Sequence, residues 1–142
     1  MKKFIKSFLI LNILSSSLLG YDLTVKVDNL RSDDGVVQFS LYNKDGSIPD
    51  EKFERYIFQK KSNISHNSTV VVFKDLKEGK YAVNILHDEN NDGKLKKGFL
   101  LPDEGVGFSN FESINIMNKP NFKKASFLLD NDKSINIKVI YF

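Results

Sequence analysis

Apolar and polar residues alternate along much of the chain with a period of two, the pattern of β-strands that bury one face. Between residues 23 and 27, and again between 37 and 41, every second residue is apolar. Similar patterns or β-branched runs predict further strands at residues 69–73, 81–86, 113–116, 125–129 and 135–141. Turn sequences rich in Asp, Asn and Gly separate most of them. The pattern predicts an all-β protein, an antiparallel β-sandwich of about seven strands.

Two segments do not fit this alternation. Within residues 48–61, Pro49, Asp50 and Glu51 suit the first turn of a helix, whereas the aromatic and apolar residues at 56–58 suit the start of a strand. We therefore predict a short helix or loop there followed by a strand, and at most one short helix in the whole chain. Residues 97–111 are rich in glycine and are predicted to form a long irregular loop, a kind of segment that is usually functional or mobile.

The first twenty residues have the organisation of a secretory signal peptide. Lys2, Lys3 and Lys6 form a basic start, an apolar run covers residues 8–14, and small polar residues follow. The apolar run is too short for a comfortable membrane span, which needs about 20 residues. Residues 1–20 are thus predicted to be a signal peptide, with an uncleaved N-terminal anchor as the alternative. Residues 21–142 are predicted to form one domain that is periplasmic or secreted, with no stable membrane span.

Removal of this segment changes the charge balance. The chain has 21 Lys and Arg against 18 Asp and Glu, and three of the lysines but none of the acids lie in the first twenty residues. The remaining chain is formally neutral, so its charge gives no support for nucleic-acid binding. Because the chain has no cysteine, its stability must come from burial, helped at most by a bound ion.

The segment 87–95 is the strongest candidate for a site. Asp88, Asn90 and Asp92 place an oxygen ligand at every second residue and a glycine follows, as in the first half of a calcium-binding loop. The twelfth position, where a complete loop has a bidentate Glu, is Phe99, so an acid from residues 103–104 would have to complete the site. The predicted ligand set is Asp88, Asn90, Asp92, Lys94 and Glu104, with calcium as the ion at millimolar affinity.

A simpler interpretation of the same residues is an Asx-rich turn. In that case Asp88, Asn90 and Asp92 accept hydrogen bonds from backbone amides and no ion is required. Lys94, together with the lysines at 96 and 97, would also place positive charge beside any bound cation. The spacing alone leaves both interpretations open.

Catalysis is a further alternative. His87 precedes Asp88 and could act as a metal ligand or a general base; Ser109, His87 and either Asp88 or Asp103 could be imagined as a hydrolytic triad. However, no Gly-x-Ser-x-Gly elbow is present, and we expect His87 to bond the backbone of a neighbouring loop instead. The prediction is that the protein is not an enzyme, with no catalytic residue assigned.

Three motifs together resemble a known family. They are residues 75–83, with Leu76, Gly79 and Tyr81; residues 87–95, His-Asp-Glu-Asn-Asn-Asp-Gly-Lys-Leu; and residues 102–110, which include Glu-Gly-Val-Gly-Phe-Ser-Asn. The chain resembles the secreted bacterial proteins grouped as domain of unknown function 2141. The resemblance implies a transthyretin-like or carboxypeptidase-regulatory-like sandwich, related in architecture to immunoglobulin-like domains, and it implies no known activity. Members often have an acid where this chain has Lys96 and Lys97.

The favoured function is an exported, non-enzymatic module. Because the loops of a β-sandwich cluster at its two ends, residues 88–94 and 102–110 are predicted to form one surface that binds a cation, an envelope protein or a glycan. A small periplasmic hydrolase or metal-dependent enzyme at the same surface is the alternative. The apolar residues Phe99, Leu100, Leu101, Phe108 and Phe111 are expected to close the end of the sandwich rather than to form an exposed patch.

Overall fold

A computed structural model describes residues 19–95 and 102–142, and these residues form two packed β-sheets joined by short connections. The strands in chain order are β1 (Tyr21–Asp28), β2 (Val36–Tyr42), β3 (Phe58–Asn63), β4 (Thr69–Leu76), β5 (Gly79–Asp88), β6 (Gly105–Phe108), β7 (Phe127–Leu129) and β8 (Lys133–Lys138); a single helical turn, α1 (Phe122–Ala125), precedes β7. The first sheet has the order β4-β1-β8 and the second the order β3-β2-β5-β6, with β7 added beside the start of β5. The predicted all-β sandwich is confirmed.

The main core lies between the two sheets and comes from the alternation seen in the sequence. Leu23, Val25 and Val27 of β1 are fully buried, and so are Val37 and Phe39 of β2. These side chains point to one face of their strands because successive residues of a strand point to opposite faces. The two sheets therefore meet through the residues that the period of two identifies.

One strand pairing departs from the predicted antiparallel arrangement. β8 runs parallel to β1, with Leu23 opposite Lys133 and Val27 opposite Ile137. The last strand also ends at Lys138 rather than near residue 141, because Ile140 forms an isolated bridge with Val106 of the second sheet. The chain end thus leaves the first sheet and crosses to the edge of the second.

A second apolar cluster covers the outer face of the second sheet. Tyr42, Ala82 and Leu86 point to this face, where loop residues of the segments 43–57 and 109–125 cover them. Phe108 and Phe111 lie in this cluster and are almost completely buried, so these two aromatic residues are not part of an exposed patch. The apolar residues at 99–101 lie outside the described residues.

The segment predicted to be a short helix or loop followed by a strand is a loop that leads into β3, so the loop alternative is confirmed and no helix begins near Pro49. The Asp50 carboxylate accepts the amides of Glu54 and Arg55 and the Tyr42 hydroxyl, and Phe53 has a φ of 52°, which a helix does not permit. The helical turn of the described residues is instead α1, where the side chain of Asn121 accepts the amide of Lys124 as an N-cap. The last residue of α1 is the one at which the sequence pattern predicts the start of a strand.

The predicted strand at 113–116 was wrong. Asn115 and Asn118 form a bridge that closes a tight turn, and the Asn115 side chain accepts the amides of Met117 and Asn118. The strand of this region is β6, inside the segment predicted to be a loop. Its two glycines are required because a Cβ on Gly105 would lie 2.4 Å from the Tyr141 ring, and one on Gly107 would lie 2.4 Å from the Lys138 carbonyl oxygen.

The sheet register brings the two candidate loops together. β5 ends at Asp88, and its antiparallel neighbour β6 begins at Gly105, which pairs with His87. Glu104, one residue before β6, therefore lies beside the end of β5. The turn between β1 and β2 reaches the same rim, because Val36 at the start of β2 pairs with Asp88. Among the described residues, no helix is long and apolar enough to cross a membrane.

Candidate metal centre

The loop after β5 is organised by the carboxylate of Asp88. Its Oδ1 accepts the amide of Asp92 at 3.0 Å, and its Oδ2 accepts the amide of Gly93 at 2.7 Å. The Asp92 Oδ1 in turn accepts the amide of Lys94 at 2.9 Å. The loop therefore contains the Asx-type hydrogen bonds that the simpler interpretation predicted.

Asn90 and Lys94 form hydrogen bonds within the loop. The Asn90 side chain accepts the amide of Asp92 at 3.3 Å and donates to the Asp92 Oδ2 at 3.2 Å. Lys94 is exposed and is tied to the loop by its backbone amide. As the seventh residue counted from Asp88, it would offer its backbone carbonyl to an ion, as that position does in calcium loops. Lys96 and Lys97 lie outside the described residues.

Glu104 adds a third carboxylate to Asp88 and Asp92. One oxygen from each of the three lies within 4.8 Å of the others. Asp88 is fully buried and Glu104 is 7% exposed, whereas Asp92 is exposed. The Glu104 Oε2 is buried and has no hydrogen-bond partner among the described residues. The structure thus brings together three members of the predicted ligand set from two separate loops.

The electrostatics of Glu104 follow from this position. Burial raises the pKa of its carboxyl group above the ordinary value, and the negative charges of Asp88 and Asp92 raise it further, while a backbone hydrogen bond from Glu89 opposes them. A charged Glu104 is therefore unfavourable unless a proton or a cation neutralises the cluster.

A buried glutamine lies beneath the loop. Gln38 is 2% exposed, and its Nε2 has no hydrogen-bond partner in the part of the chain that the structure describes. Its Oε1 lies 3.8 Å from the position that a Cβ on Gly93 would take, and the Lys61 Nζ lies 3.6 Å from the same point. A side chain at position 93 would therefore meet polar and positively charged groups, and Gly93 itself has a φ of 69°.

An arginine from the β1–β2 turn connects the two loops. The Arg31 guanidinium pairs with both carboxylate oxygens of Glu89, at 2.7 and 2.6 Å, and also donates to the backbone carbonyl of Asp103 at 3.2 Å. Its Cζ lies 4.7 Å from the centre of the Tyr141 ring. The Arg31 hydrogen bonds lower the pKa of Glu89, so this carboxylate stays charged next to the cluster.

His87 and Ser109 belong to separate hydrogen-bond networks. The buried His87 ring bonds the Tyr141 hydroxyl at 2.7 Å through Nδ1 and the Asp34 carbonyl at 3.0 Å through Nε2, in line with the expected contact to loop backbone. The Ser109 hydroxyl accepts the amide of Val83 and donates to the Ala125 carbonyl at 2.6 Å. The arrangement of the imagined triad, with Ser109 bonded to His87, is not found among these contacts.

The comparison with protein families identifies this combination of motifs. The sequence model of the family described as "Uncharacterized protein conserved in bacteria (DUF2141)" matches residues 25–138. The chain belongs to DUF2141. This range includes all three motifs that carry the resemblance, and it covers both loops of the carboxylate cluster. No curated protein and no solved structure matches the chain.

In this DUF2141 chain the cluster borders an open depression. The depression is lined by Asp34, Gly35, Glu89, Asn90, Asp103 and Glu104. Glu104 is therefore shared between the buried cluster and a surface open to solvent, which gives an ion from solution a route to the carboxylates.

Sequence reasoning missed three residues around the DUF2141 cluster, namely Gln38, Arg31 and Tyr141. Gln38 gave a faint signal, since it is a polar residue on the face of β2 that does not enter the main core. Arg31 and Tyr141 lie 110 residues apart in the chain, and only the folded structure shows the hydrogen bond between them.

Proposed function

We propose that this DUF2141 protein is an exported, non-enzymatic β-sandwich module that binds a calcium-like cation at Asp88, Asp92 and Glu104. The observation that supports the proposal is the Glu104 carboxylate, buried beside two other carboxylates and with one oxygen that has no partner among the described residues. Export is inferred from the signal-peptide pattern of residues 1–20, which lies almost entirely outside the described residues. An envelope protein or a glycan is the proposed partner of the surface around the ion.

The chemistry of the donor set favours a hard divalent cation. All three side chains offer carboxylate oxygens, the ligands that calcium prefers in proteins. The two oxygens of Asp88 each accept one amide, which leaves further lone pairs, because a carboxylate has about four acceptor sites. Backbone carbonyl and water oxygens would complete the six to eight ligands that calcium usually takes.

The hydrogen bonds that the Asp88 carboxylate accepts from backbone amides do not compete with cation binding. They hold the loop in a shape that keeps the Asp88 and Asp92 carboxylates near Glu104, so the Asx-type turn is compatible with the proposed cation site. The few carboxylates and the exposure of Asp92 are in keeping with a weak site of the millimolar class found in extracellular modules.

The test is calcium titration of residues 21–142 followed by thermal melting. We expect calcium at millimolar concentration to raise the melting temperature of the wild type, since a ligand that binds only the folded state stabilises it. Glu104→Gln keeps the size of the side chain and removes its charge, so the variant should lose the calcium-dependent rise. Glu104 is a better target than Asp88, whose carboxylate also accepts two loop amides.

Glu112→Gln is the matched control. It makes the same chemical change at a side chain that is 87% exposed and pairs with Lys138 at 3.6 Å. This variant should keep the full calcium response. A wild-type protein whose melting temperature does not respond to millimolar calcium would rule out the proposed site.

A further inference from the structure

One side chain outside the carboxylate cluster contacts both of its loops. Arg31 binds the carboxylate of Glu89, the residue after Asp88, and the carbonyl of Asp103, the residue before Glu104. Both contacts come from the same guanidinium group. The side chain that follows Asp88 and the backbone that precedes Glu104 are therefore attached to one rigid, planar group.

A second set of contacts fixes Arg31 itself. Its backbone amide donates to the Tyr141 hydroxyl at 3.0 Å, and its guanidinium lies over the Tyr141 ring. The same hydroxyl bonds His87, the residue before Asp88, at 2.7 Å. Residues on both sides of Asp88 thus depend on the Arg31–Tyr141 pair, directly or through one hydrogen bond.

We propose that Arg31 is a positioning residue for the cation site: it holds the loop of Asp88 and the segment of Glu104 at the separation that lets their carboxylates share one ion. This inference depends on the proposed calcium function. Arg31 would not touch the ion, and its contribution would be to reduce the entropy lost when ligands from two loops assemble around it. Groups that orient metal ligands typically change metal affinity by about 10–100-fold when they are removed.

An opposing effect must be weighed, because a positive charge near the cluster repels a cation. Arg31 forms a two-fold hydrogen-bonded pair with Glu89, so the pair as a unit adds little net charge to the site. The positioning effect should therefore exceed the repulsion. The expected result follows from this balance: a substitution of Arg31 that loses its contacts should weaken calcium binding.

The experiment measures the calcium dissociation constant by isothermal titration for charge-conserving variants. Arg31→Lys keeps the positive charge but loses the planar fork that reaches Glu89 and Asp103 together. Glu89→Asp keeps the negative charge and shortens the side chain. Each variant should bind calcium at least about tenfold more weakly than the wild type. The double variant should lose little more calcium affinity than either single variant, because both substitutions break the same connection.

Arg55→Lys is the matched control. Arg55 also donates to backbone carbonyls, those of Gly46 and Pro49, and lies 3.6 Å from the Asp50 carboxylate, but on the loop between β2 and β3. Arg55→Lys should have no effect beyond a change in the melting temperature of the calcium-free protein. Its calcium affinity should equal that of the wild type.

Each result has one interpretation. Unchanged or tighter calcium binding by Arg31→Lys and Glu89→Asp, with normal binding by the wild type, would overturn the positioning role and leave the calcium site standing. Absence of calcium binding by the wild type would overturn both proposals. If one of the two single variants does not fold, the calcium affinity of the other still tests the positioning role, since each substitution disrupts the Arg31–Glu89 pair.

Discussion

At the scale of single residues, Glu104 is a carboxylate whose charge the fold disfavours. It lies in the second sheet's rim with 7% of its surface exposed, next to the carboxylates of Asp88 and Asp92. Natural proteins rarely bury a carboxylate without a partner, because the lost hydration is costly. A group of this kind usually marks a site where a proton or a ligand completes the structure.

The calcium-free protein should accordingly become less stable as Glu104 ionises. Burial and two neighbouring carboxylates raise its pKa in the folded state above the ordinary 4.5. Between that value and the raised pKa the folded state binds more protons than the unfolded state, so the free energy of unfolding falls as the pH rises through this window. Above the raised pKa the contribution of Glu104 no longer changes.

Glu104→Gln should remove this part of the pH dependence. Urea unfolding in the presence of a chelator, at a series of pH values from 4 to 8, would measure the free energy of unfolding of both proteins. The free energy of unfolding of Glu104→Gln should increase relative to that of the wild type as the pH rises, whereas that of Glu112→Gln should not. A difference between variant and wild type that is the same at every pH would show that Glu104 titrates normally.

At the scale of elements, the turn between β1 and β2 must lie against the end of β5. Gly35 has a φ of 68°, and a Cβ at this position would lie 2.0 Å from the Asp88 carbonyl oxygen and 2.7 Å from atoms of Glu89. The absence of a side chain at position 35 therefore lets the turn approach the backbone of the candidate site.

Gly35→Ala should destabilise the protein by about 2–4 kcal/mol, from the left-handed φ together with the overpacking against Asp88. Gly46→Ala is the matched control, because Gly46 has a φ of 77° but no described atom within 4 Å of the position that a Cβ would take, so it should lose only about 1 kcal/mol. Equal losses in urea unfolding would mean that the turn moves away without cost.

The elements that sequence could predict are those whose pattern is local. β1 and β2 were recognisable because each has apolar residues at alternate positions over five residues or more. β6 was missed because two of its four residues are glycines, which are rare in strands and typical of loops. Its existence depends on pairing with β5 and on space beside Tyr141 and Lys138, neither of which is visible in the sequence.

The residues of the candidate site also separate into those that the local sequence predicts and those that depend on long-range contacts. The loop of Asp88 and Asp92 is encoded in six consecutive residues, so its Asx-type hydrogen bonds could be predicted from the sequence. The proximity of Glu104 followed only from the expectation that sandwich loops cluster at one end. The role of Arg31 could not be predicted, since it comes from contacts with residues at least 58 positions away. The role of Gln38 could not be predicted either, since it comes from the packing of β2 beneath the loop.

At the scale of the whole molecule, the second sheet is buried on both faces along β2, β5 and β6, whereas its edge strand β3 is largely exposed. The core between the sheets covers one face, and the cluster with Tyr42, Phe108 and Phe122 covers the other. The outer cover consists mostly of loops and one helical turn rather than of a third sheet. Since β6, which follows Glu104 directly, contributes Val106 and Phe108 to the face that these loops cover, the outer cluster also supports the rim where the candidate site lies.

If this loop layer is part of the cooperative fold, a large cavity in it should be as costly as one in the main core. Phe111→Ala removes a loop side chain that is 4% exposed and should lower the free energy of unfolding by about 3–5 kcal/mol. Phe58→Ala makes the same substitution at a strand residue that is 54% exposed, where surface changes usually cost about 0.5 kcal/mol. Urea unfolding with one transition for both variants and a clearly larger loss for Phe111→Ala would show that the loops and the sheets unfold together. A loss below about 1 kcal/mol for Phe111→Ala would instead mean that the loop layer opens separately from the two sheets.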